Sequence, residues 1–295
     1  MLSVIIPFHN EEENIPILHQ RLTEVLHRTG HPYEILFVDD GSQDNSAGRV
    51  PHDEHTRLIR LNRQMGKGRA LAAGVAESRG DIVFFMDGDL EDDPREIPRF
   101  LEKLEEGNDL VNGVRTGRKH SGIIRIYSAL ANRFIHHALH SPFTDINCGY
   151  KCMRRVVLKE IPLYGNNFRF FPLAAFYEGF RVSEIPVRHT RRVHGVSKFG
   201  SGKLFIGLID TITAYFLYRF AERPLHFFGA IGFWLGLAGT AILGYLGVER
   251  IIFQHEIYRR PILFLGMLLV IIGVQIAATG LLAELMVYSK NKRAR

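Results

Sequence analysis

Cysteine and tryptophan are scarce in this chain of 295 residues, which has two cysteines and one tryptophan. So few cysteines exclude the disulfide framework that supports many small secreted domains. We expect Cys148 and Cys152 to be reduced and buried as small apolar side chains. A signal peptide is also missing, because the opening MLSVIIPFHNEEE has an apolar stretch too short for one. The first part of the chain is therefore expected to stay in the cytosol.

The two best-known glycine-rich phosphate loops are absent as well. No GxGxxG follows the first apolar run. Gly66, Lys67 and Gly68 do not form a P-loop, because the spacing and the hydroxyl residue after the lysine are missing. Any nucleotide site must therefore be built in another way.

Long apolar runs are confined to the end of the chain, at residues 225–248 and 261–288. Each run could cross a hydrocarbon core roughly 30 Å thick, which takes about 20 helical residues. Arg219, Arg223 and the tail SKNKRAR agree with the positive-inside rule if both chain ends are cytosolic. The sequence thus predicts a two-span protein of the cell membrane, whose net charge of +6 favours a lipid surface over nucleic acid as its partner.

Four parts are predicted along the chain. Residues 1–200 form a cytosolic domain, and residues 201–223 form an amphipathic helix at the membrane interface. Residues 224–289 form the two-helix anchor, and residues 290–295 form a basic cytosolic tail.

Strand-like and helical patterns alternate in the first half of the chain. The strand-like runs are SVIIPF, YEILFVDD, RLIRL, DIVFFMD and DLVNGV. Helical patterns cover residues 12–28, 68–78 and 95–105. This alternation predicts an α/β fold with a mostly parallel sheet, in which ligands bind beyond the carboxyl ends of the strands. The polar clusters PFHNEE, VDDGSQD and MDGDLED fall at those ends, so we expect them to converge.

Five of the seven residues from Asp87 to Asp93 are acidic. Alternate positions in this segment allow Asp87, Asp89 and Glu91 to face one point, and Gly88 leaves room there. Hard oxygen ligands suit Mg²⁺ or Mn²⁺, commonly shared with substrate phosphates. The alternative is a solvated acidic turn that caps the helix near Pro94, a role that Asp92 or Asp93 could fill.

Basic residues that could bind the phosphates are available elsewhere in the sequence. They are Lys67, Arg115, Arg118 and the glycine-flanked run at residues 188–200, which has the composition of a mobile covering loop. The same charges could instead hold anionic lipid, at about 1 kcal/mol each near the surface.

Taken together, the motifs resemble glycosyltransferase family 2 with a GT-A fold, and within it the polyprenyl-phosphate (dolichyl-phosphate) hexose synthases. The resemblance extends from Ser3 to about Gly200. It rests on the segments PFHNEEENI, VDDGSQDNS, GKGRALAAG, DGDLEDDPREIP, GVRTGRK, DINCGYKCMRR, LYGNNFRFFPLAA and VSEIPVRHTRRVHGVSKFG.

The resemblance implies a role for each matching position. Residues around the nucleotide are Pro7, Asn10, Glu11, Asp40, Lys67 and Asp87. Those that hold the Mg²⁺ or Mn²⁺ ion are Asp87, Asp89 and Glu91, although family members usually have Gln in place of Glu91. Those that hold the acceptor phosphate are Arg115, Arg125 and Ser128, with Asp87, Asp89 and Arg115 as the catalytic set. Those in a loop that closes over the donor are Arg192, Ser197 and Lys198.

The implied reaction is an inverting transfer of a hexose from a nucleotide sugar to a polyprenyl phosphate. A divalent cation would neutralise the leaving diphosphate. The attacking phosphate oxygen is already anionic at pH 7, so it needs no general base. This matters because Gly149 is followed by Tyr150 and Lys151 where related enzymes have an Asp; Asp145 is the nearest substitute, with a structural role equally open.

Several alternatives remain at this stage. A processive polysaccharide synthase would need more spans and a QxxRW segment, whereas Trp234 is the only tryptophan and lies in the first run. A scaffold without turnover, or a transferase with another lipid acceptor, is also possible. The sequence does not choose between GDP-mannose, UDP-glucose and other donors. The glycines at 229, 232, 236 and 239 permit close helix packing and a homo-oligomer.

Overall fold

The computed structural model describes residues 1–116, 142–163, 165, 167–188, 212–213, 215–217, 220, 223–254 and 261–293. The chain divides into two compact units, Met1–Ala214 and Tyr215–Arg295.

The first unit contains a seven-stranded sheet. Its strands are β1 (Leu2–Phe8), β2 (Tyr33–Asp39), β3 (Thr56–Arg60), β4 (Ile82–Phe85), β5 (Leu110–Thr116), β6 (Lys151–Arg154) and β7 (Val182–Arg188). The strand order is β3-β2-β1-β4-β6-β5-β7. Every pairing is parallel except those of β6, which runs antiparallel to β4 and to β5. The predicted α/β fold with a mostly parallel sheet is confirmed.

Helices connect the strands of this unit. They are α1 (Asn14–Arg28), α2 (Lys67–Glu77), α3 (Ile97–Glu105), α4 (Arg155–Glu160) and α5 (Phe171–Tyr177), with short 3-10 turns at Ala47–Arg49, Pro94–Glu96 and Asn167–Phe170. The first helix begins two residues later than the pattern at residues 12–28 indicates. Its apolar residues recur at helical spacing and are buried as a stripe of Ile15, Leu18, Leu22 and Leu26.

The core lies around β1, whose seven residues are all buried. Because all seven residues of β1 are buried, both faces of the strand are covered, which explains its nearly continuous apolar composition. Pro7 is tolerated because β4 pairs with β1 only as far as Ile5, so the missing N–H of proline removes no hydrogen bond from that pairing. The chain therefore ends β1 in a rigid, buried position just before its polar cluster.

The second unit contains two long helices, α6 (Pro224–Ile252) and α7 (Pro261–Arg293). Residues 224–252 and 261–289 are long and apolar enough to cross a membrane. The two helices pack closely through glycine: a Cβ on Gly232 would lie 2.5 Å from the Gly273 carbonyl oxygen, and one on Gly239 would lie 2.7 Å from that of Gly266. Glu284 of α7 also accepts a hydrogen bond from the Leu225 N–H at 3.1 Å. Of the four glycines singled out in the sequence, Gly232 and Gly239 thus lie where the neighbouring helix leaves no room for a side chain.

The interfacial helix predicted at residues 201–223 lies mostly outside the described residues, so it remains a prediction.

Candidate active site

The carboxyl ends of β1 and β2 meet through hydrogen bonds between the loops that follow them. Asn10, after β1, accepts a hydrogen bond from the Gln43 N–H at 2.8 Å and donates its own N–H to the Ser42 hydroxyl at 3.0 Å. Asn10 has a φ of 59°, a left-handed conformation that asparagine adopts more readily than most residues. Glu11 donates its N–H to the Ser46 hydroxyl at 2.8 Å. Two of the three predicted polar clusters therefore converge.

Asp40, which follows β2, is buried and holds the segment that leads into α2. Its carboxylate accepts hydrogen bonds from the Met65 N–H at 2.7 Å and the Gly66 N–H at 2.9 Å. Gly66 has a φ of 91°, which a side chain would make unfavourable. The contacts fix the start of α2, where Lys67 is the first residue.

Lys67 extends from α2 to Asp87, at the end of β4, and forms an ion pair with it. The ammonium also lies 5.2 Å from the centre of the Phe168 ring. Burial raises the pKa of Asp87, but the Lys67 charge outweighs it, so the net pKa lies below the ordinary value of an aspartate. This pair joins the third polar cluster to the same edge of the sheet.

The turn that follows Asp87 is strained and largely buried. Leu90 has a φ of 62°, a conformation that costs free energy for a leucine and is often retained at functional sites. The Asp89 carboxylate accepts the Glu91 N–H at 3.2 Å, and Asp92 accepts the Asp87 N–H at 3.1 Å. Burial, together with the charge of Asp87, raises the pKa of Asp92 to about 7. Asp93 caps the turn at Pro94, as predicted for Asp92 or Asp93.

The fit of a divalent cation to this turn depends on its donor atoms. Asp87 and Asp89 offer hard carboxylate oxygens on one short turn, the type of ligand that Mg²⁺ and Mn²⁺ prefer. Within the described part of the chain, no three or more His, Cys, Asp or Glu side chains are grouped to form a cage. Asp87 and Asp89 therefore fit a metal ion whose remaining ligands are substrate phosphates. Glu91, predicted as a third ligand, does not form a group of three with the two aspartates among these residues.

Arg115, at the end of β5, forms a bidentate ion pair with Asp145. Its Nε and one terminal nitrogen each lie 2.7 Å from an Asp145 carboxylate oxygen. Burial raises the pKa of Asp145, but Arg115 outweighs it and holds the net pKa below the ordinary value. A carboxylate that is this firmly ionised and paired is a poor general base. The geometry thus favours the structural alternative for Asp145.

A tight turn at residues 144–149 connects these two ion pairs. The Gly149 backbone lies so close to Asp87 and Lys67 that a Cβ there would be 2.8 Å from the Asp87 Oδ2 and 2.8 Å from the Lys67 ammonium. The same turn contains Asp145. The absence of a side chain at Gly149 is therefore what allows Lys67 to reach Asp87.

Several predicted residues lie outside the described part of the chain. These are Arg118, Arg125 and Ser128, and the covering-loop residues Arg192, Ser197 and Lys198. Their predicted roles stay predictions. Conversely, sequence reasoning missed the roles of Asn112, Lys151 and Glu184, which lie on β5, β6 and β7 and meet only through the pairing of these strands. Cys148 and Cys152 are both buried and free, as expected.

The fold and the polar edge of the sheet together define a class of protein. A mostly parallel sheet, with polar loops at the ends of β1 and β2 and an acidic turn at the end of β4, is the arrangement of a GT-A nucleotide-sugar transferase. Residues 3–162 match the family described as glycosyl transferase family 2. The chain belongs to glycosyl transferase family 2, and it is a glycosyltransferase.

A curated relative covers almost the whole chain. Dodecaprenyl-phosphate galacturonate synthase from Rhizobium johnstonii is 36% identical over 293 residues, which cover 96% of this chain and 87% of that protein. This similarity supports the expected relation to polyprenyl-phosphate sugar synthases.

Solved structures share the fold. Glucosyl-3-phosphoglycerate synthase from Mycobacterium tuberculosis, in complex with Mn²⁺, UDP-glucose and phosphoglyceric acid, superposes with a TM-score of 0.58 at 20% identity. That comparison covers 74% of this chain and 79% of the other. A complex of the same enzyme with Mn²⁺, UDP and phosphoglyceric acid gives a TM-score of 0.59 at 21% identity, over 73% and 78% of the two chains. At this identity the similarity establishes the fold, and the Mn²⁺ belongs to that enzyme.

Proposed function

We propose that this protein transfers a hexuronate sugar from a nucleotide sugar to a polyprenyl phosphate, with inversion at the anomeric carbon and with Mg²⁺ or Mn²⁺ as cofactor. The similarity to a dodecaprenyl-phosphate galacturonate synthase over 96% of the chain is the observation that supports this most strongly. The sequence alone leaves the donor open among GDP-mannose, UDP-glucose and other nucleotide sugars, and this similarity makes a uronate the leading candidate.

The loops after β1 and β2 and the first turn of α2 would hold the nucleotide. Pro7, Asn10, Glu11 and Asp40 belong to this group, and Asp40 acts by fixing the Met65 and Gly66 backbone. Lys67 would interact with anionic groups of the donor, and this role is supported by its ion pair with Asp87 and by a side chain that is 28% exposed. The proposed nucleotide site therefore combines loops held by backbone hydrogen bonds with the positive charge of Lys67.

Asp87 and Asp89 would hold the divalent ion, which supplies positive charge to stabilise the leaving diphosphate. Asp87 is already ionised, because Lys67 keeps its pKa low, so no proton must leave before it can act as a ligand. If Asp87 bound the divalent ion, the Lys67 ammonium would be available for the phosphates of the donor. Glu91 is the third proposed ligand, although within the described part of the chain it does not form a group of three with the two aspartates.

Arg115 would hold the acceptor phosphate, together with Arg125 and Ser128. Asp145 occupies two donor positions of Arg115 and leaves the rest of the guanidinium for a phosphate. The attacking oxygen is anionic at neutral pH, so the reaction needs positioning and charge stabilisation rather than a base. The two apolar helices would keep the enzyme at the bilayer that contains the polyprenyl chain, with the first unit in the cytosol.

A donor panel tests the proposal. Purified protein would be incubated with dodecaprenyl phosphate, Mn²⁺ and radiolabelled UDP-galacturonate, UDP-glucuronate, UDP-glucose, UDP-galactose or GDP-mannose. We expect lipid-linked label from a UDP-uronate, and little from Asp89→Asn. Asp81→Asn is the matched control, because Asp81 is exposed and bonds to the amino terminus. Transfer from a neutral hexose alone would refute the uronate, and binding of a donor without transfer would point to another acceptor.

A further inference from the structure

The side chain of Lys151 is buried in the sheet, at the first residue of the antiparallel strand β6. It pairs in register with Phe85 of β4 and Asn112 of β5. A lysine at such a position loses the hydration of its charge, so an apolar residue would be expected there on packing grounds alone. Its presence calls for a physical reason.

The ammonium donates all three of its hydrogens to oxygen atoms. It lies 2.7 Å from the Asn112 Oδ1, 3.2 Å from the Ile146 carbonyl oxygen and 2.5 Å from the Cys148 carbonyl oxygen. Two of these oxygens belong to the turn at residues 144–149. A lysine with every donor satisfied is not a free nucleophile or base, but it is well suited to fix the backbone of a turn.

Two further side chains hold the same turn from the neighbouring strands. Asn112 donates its amide to the Asp145 carbonyl oxygen at 2.9 Å and to Glu184 at 3.2 Å. Glu184, on β7, accepts the Thr144 N–H at 2.8 Å and the Asp145 N–H at 3.3 Å. The turn is thus fixed by polar groups from β5, β6 and β7.

This turn contacts both halves of the proposed site. Asp145 accepts two hydrogen bonds from the Arg115 side chain, and the Gly149 backbone lies against Asp87 and Lys67. A shift of the turn would therefore move the residue proposed for the acceptor phosphate and the pair proposed for the donor at the same time.

We infer that Lys151 is a positioning residue, whose buried ammonium fixes the 144–149 turn and thereby sets the distance between Arg115 and the Lys67–Asp87 pair. The inference rests on the proposed function for the roles of those three residues. It predicts that the loss of the ammonium impairs transfer through both substrates, although Lys151 contacts neither.

The test compares Lys151→Met with a matched control on the same strand. Methionine keeps the length and the apolar stem of the side chain and removes the three hydrogen bonds. Arg154→Met removes a cation at the other end of β6, where Arg154 donates to the Asn108 and Leu104 carbonyl oxygens, away from the site. Both variants would be measured for kcat, for KM of donor and acceptor, and for thermal unfolding.

We expect Lys151→Met to lower kcat/KM for both substrates by about 100-fold, the effect of a displacement near 1 Å in a positioned site. Amides of the 144–149 turn should exchange hydrogen faster in this variant than in wild type. Arg154→Met should leave both measurements unchanged. A purely structural lysine would instead lower the melting temperature of Lys151→Met while kcat and KM per folded molecule stay at wild-type values, and that result would overturn the inference.

A second variant covers the case in which Lys151→Met does not fold. Asn112→Ala removes one acceptor of Lys151 and one donor to Asp145, and it should show the same kinetic loss and the same faster exchange. If the wild-type protein transfers no sugar, the proposed function fails on its own. Hydrogen exchange of the turn and the affinity for UDP with Mn²⁺ would then decide the inference, and wild-type values in both variants would contradict it.

Discussion

The Arg115–Asp145 pair offers the sharpest test of the energetics of this site, through the substitution Asp145→Asn. Both hydrogen bonds are 2.7 Å long, and the two side chains are only 10% and 19% exposed. Removing one partner of a buried ion pair leaves the other charge uncompensated, which costs about 3–5 kcal/mol when burial is complete. Because this pair retains some exposure, we expect a loss of about 3 kcal/mol.

The assay is thermal unfolding of the detergent-solubilised protein, followed by near-ultraviolet circular dichroism of its buried aromatic side chains. For a unit of roughly 200 residues, 1 kcal/mol shifts the melting temperature by about 2–4 °C, so Asp145→Asn should melt about 6–12 °C lower. Glu24→Gln is the control, since it breaks the Arg28–Glu24 pair, whose side chains are 76% and 61% exposed. An exposed pair of this kind contributes less than about 1 kcal/mol.

The same pair also predicts how stability depends on pH. Asp145 has a folded-state pKa below its ordinary value because Arg115 outweighs the effect of burial. Its stabilising contribution is therefore fully present above the unfolded pKa of about 4 and is lost as the pH falls through the lower folded pKa. Asp145→Asn should lack this part of the acid-induced loss. If Asp145→Asn melts within about 2 °C of wild type at pH 7, or if Glu24→Gln falls as far, the reasoning is refuted.

Three further predictions concern glycine positions and Lys151. Gly149→Ala should reduce transfer about tenfold with little change in melting temperature, because its Cβ would contact only the ends of flexible side chains. Gly68→Ala should instead destabilise the fold by about 1–3 kcal/mol, since its Cβ would lie 1.8 Å from the Gly165 carbonyl oxygen. Transfer kinetics and melting temperatures of both variants test this contrast. Burial lowers the pKa of Lys151 to about 8, and a neutral amine can donate only two of the three hydrogen bonds, so transfer should fall above pH 8 in wild type and not in Lys151→Met. The free energy of unfolding should rise over the same pH range. The folded state binds the Lys151 proton less tightly than the unfolded chain does, so it gains stability between pH of about 8 and 10.4. A transfer rate that does not depend on pH in wild type would contradict the predicted loss of transfer. Gly232→Leu should lower the aggregation temperature in detergent, because the new side chain would push α6 away from α7. Gly236→Leu is the control and should leave this temperature unchanged, since a Cβ at Gly236 has open space. Equal effects of the two variants would show that the Gly232 contact is unimportant.

Much of the fold follows from local patterns in the sequence. The β1 run is apolar because it is covered on both faces, and the helix stripe of α1 repeats at helical spacing, so both elements could be predicted from residue spacing alone. The convergence of the loops after β1, β2 and β4 follows from the rule that parallel strands end at one edge. Such regularities require no knowledge of which strands are neighbours.

The polar network below the site could not be predicted in this way. Lys151, Asn112 and Glu184 are far apart in the chain and meet because β6 enters the sheet antiparallel between β4 and β5. In the sequence, Lys151 resembles a solvated surface lysine, and Asp145 resembles either a cap or a base. The roles of these two residues depend on which strands pair, and local residue patterns do not contain that information.

The central claim is that this chain joins a sugar from a nucleotide sugar to a polyprenyl phosphate. The most direct measurement is mass spectrometry of the lipid fraction, after purified protein is incubated with UDP-galacturonate, Mn²⁺ and dodecaprenyl phosphate, with released UDP quantified in parallel. We predict one lipid-linked galacturonate per UDP released, no product without the acceptor and little from Asp89→Asn. Release of UDP without a glycosylated lipid, in equal amount with and without dodecaprenyl phosphate, would contradict the account.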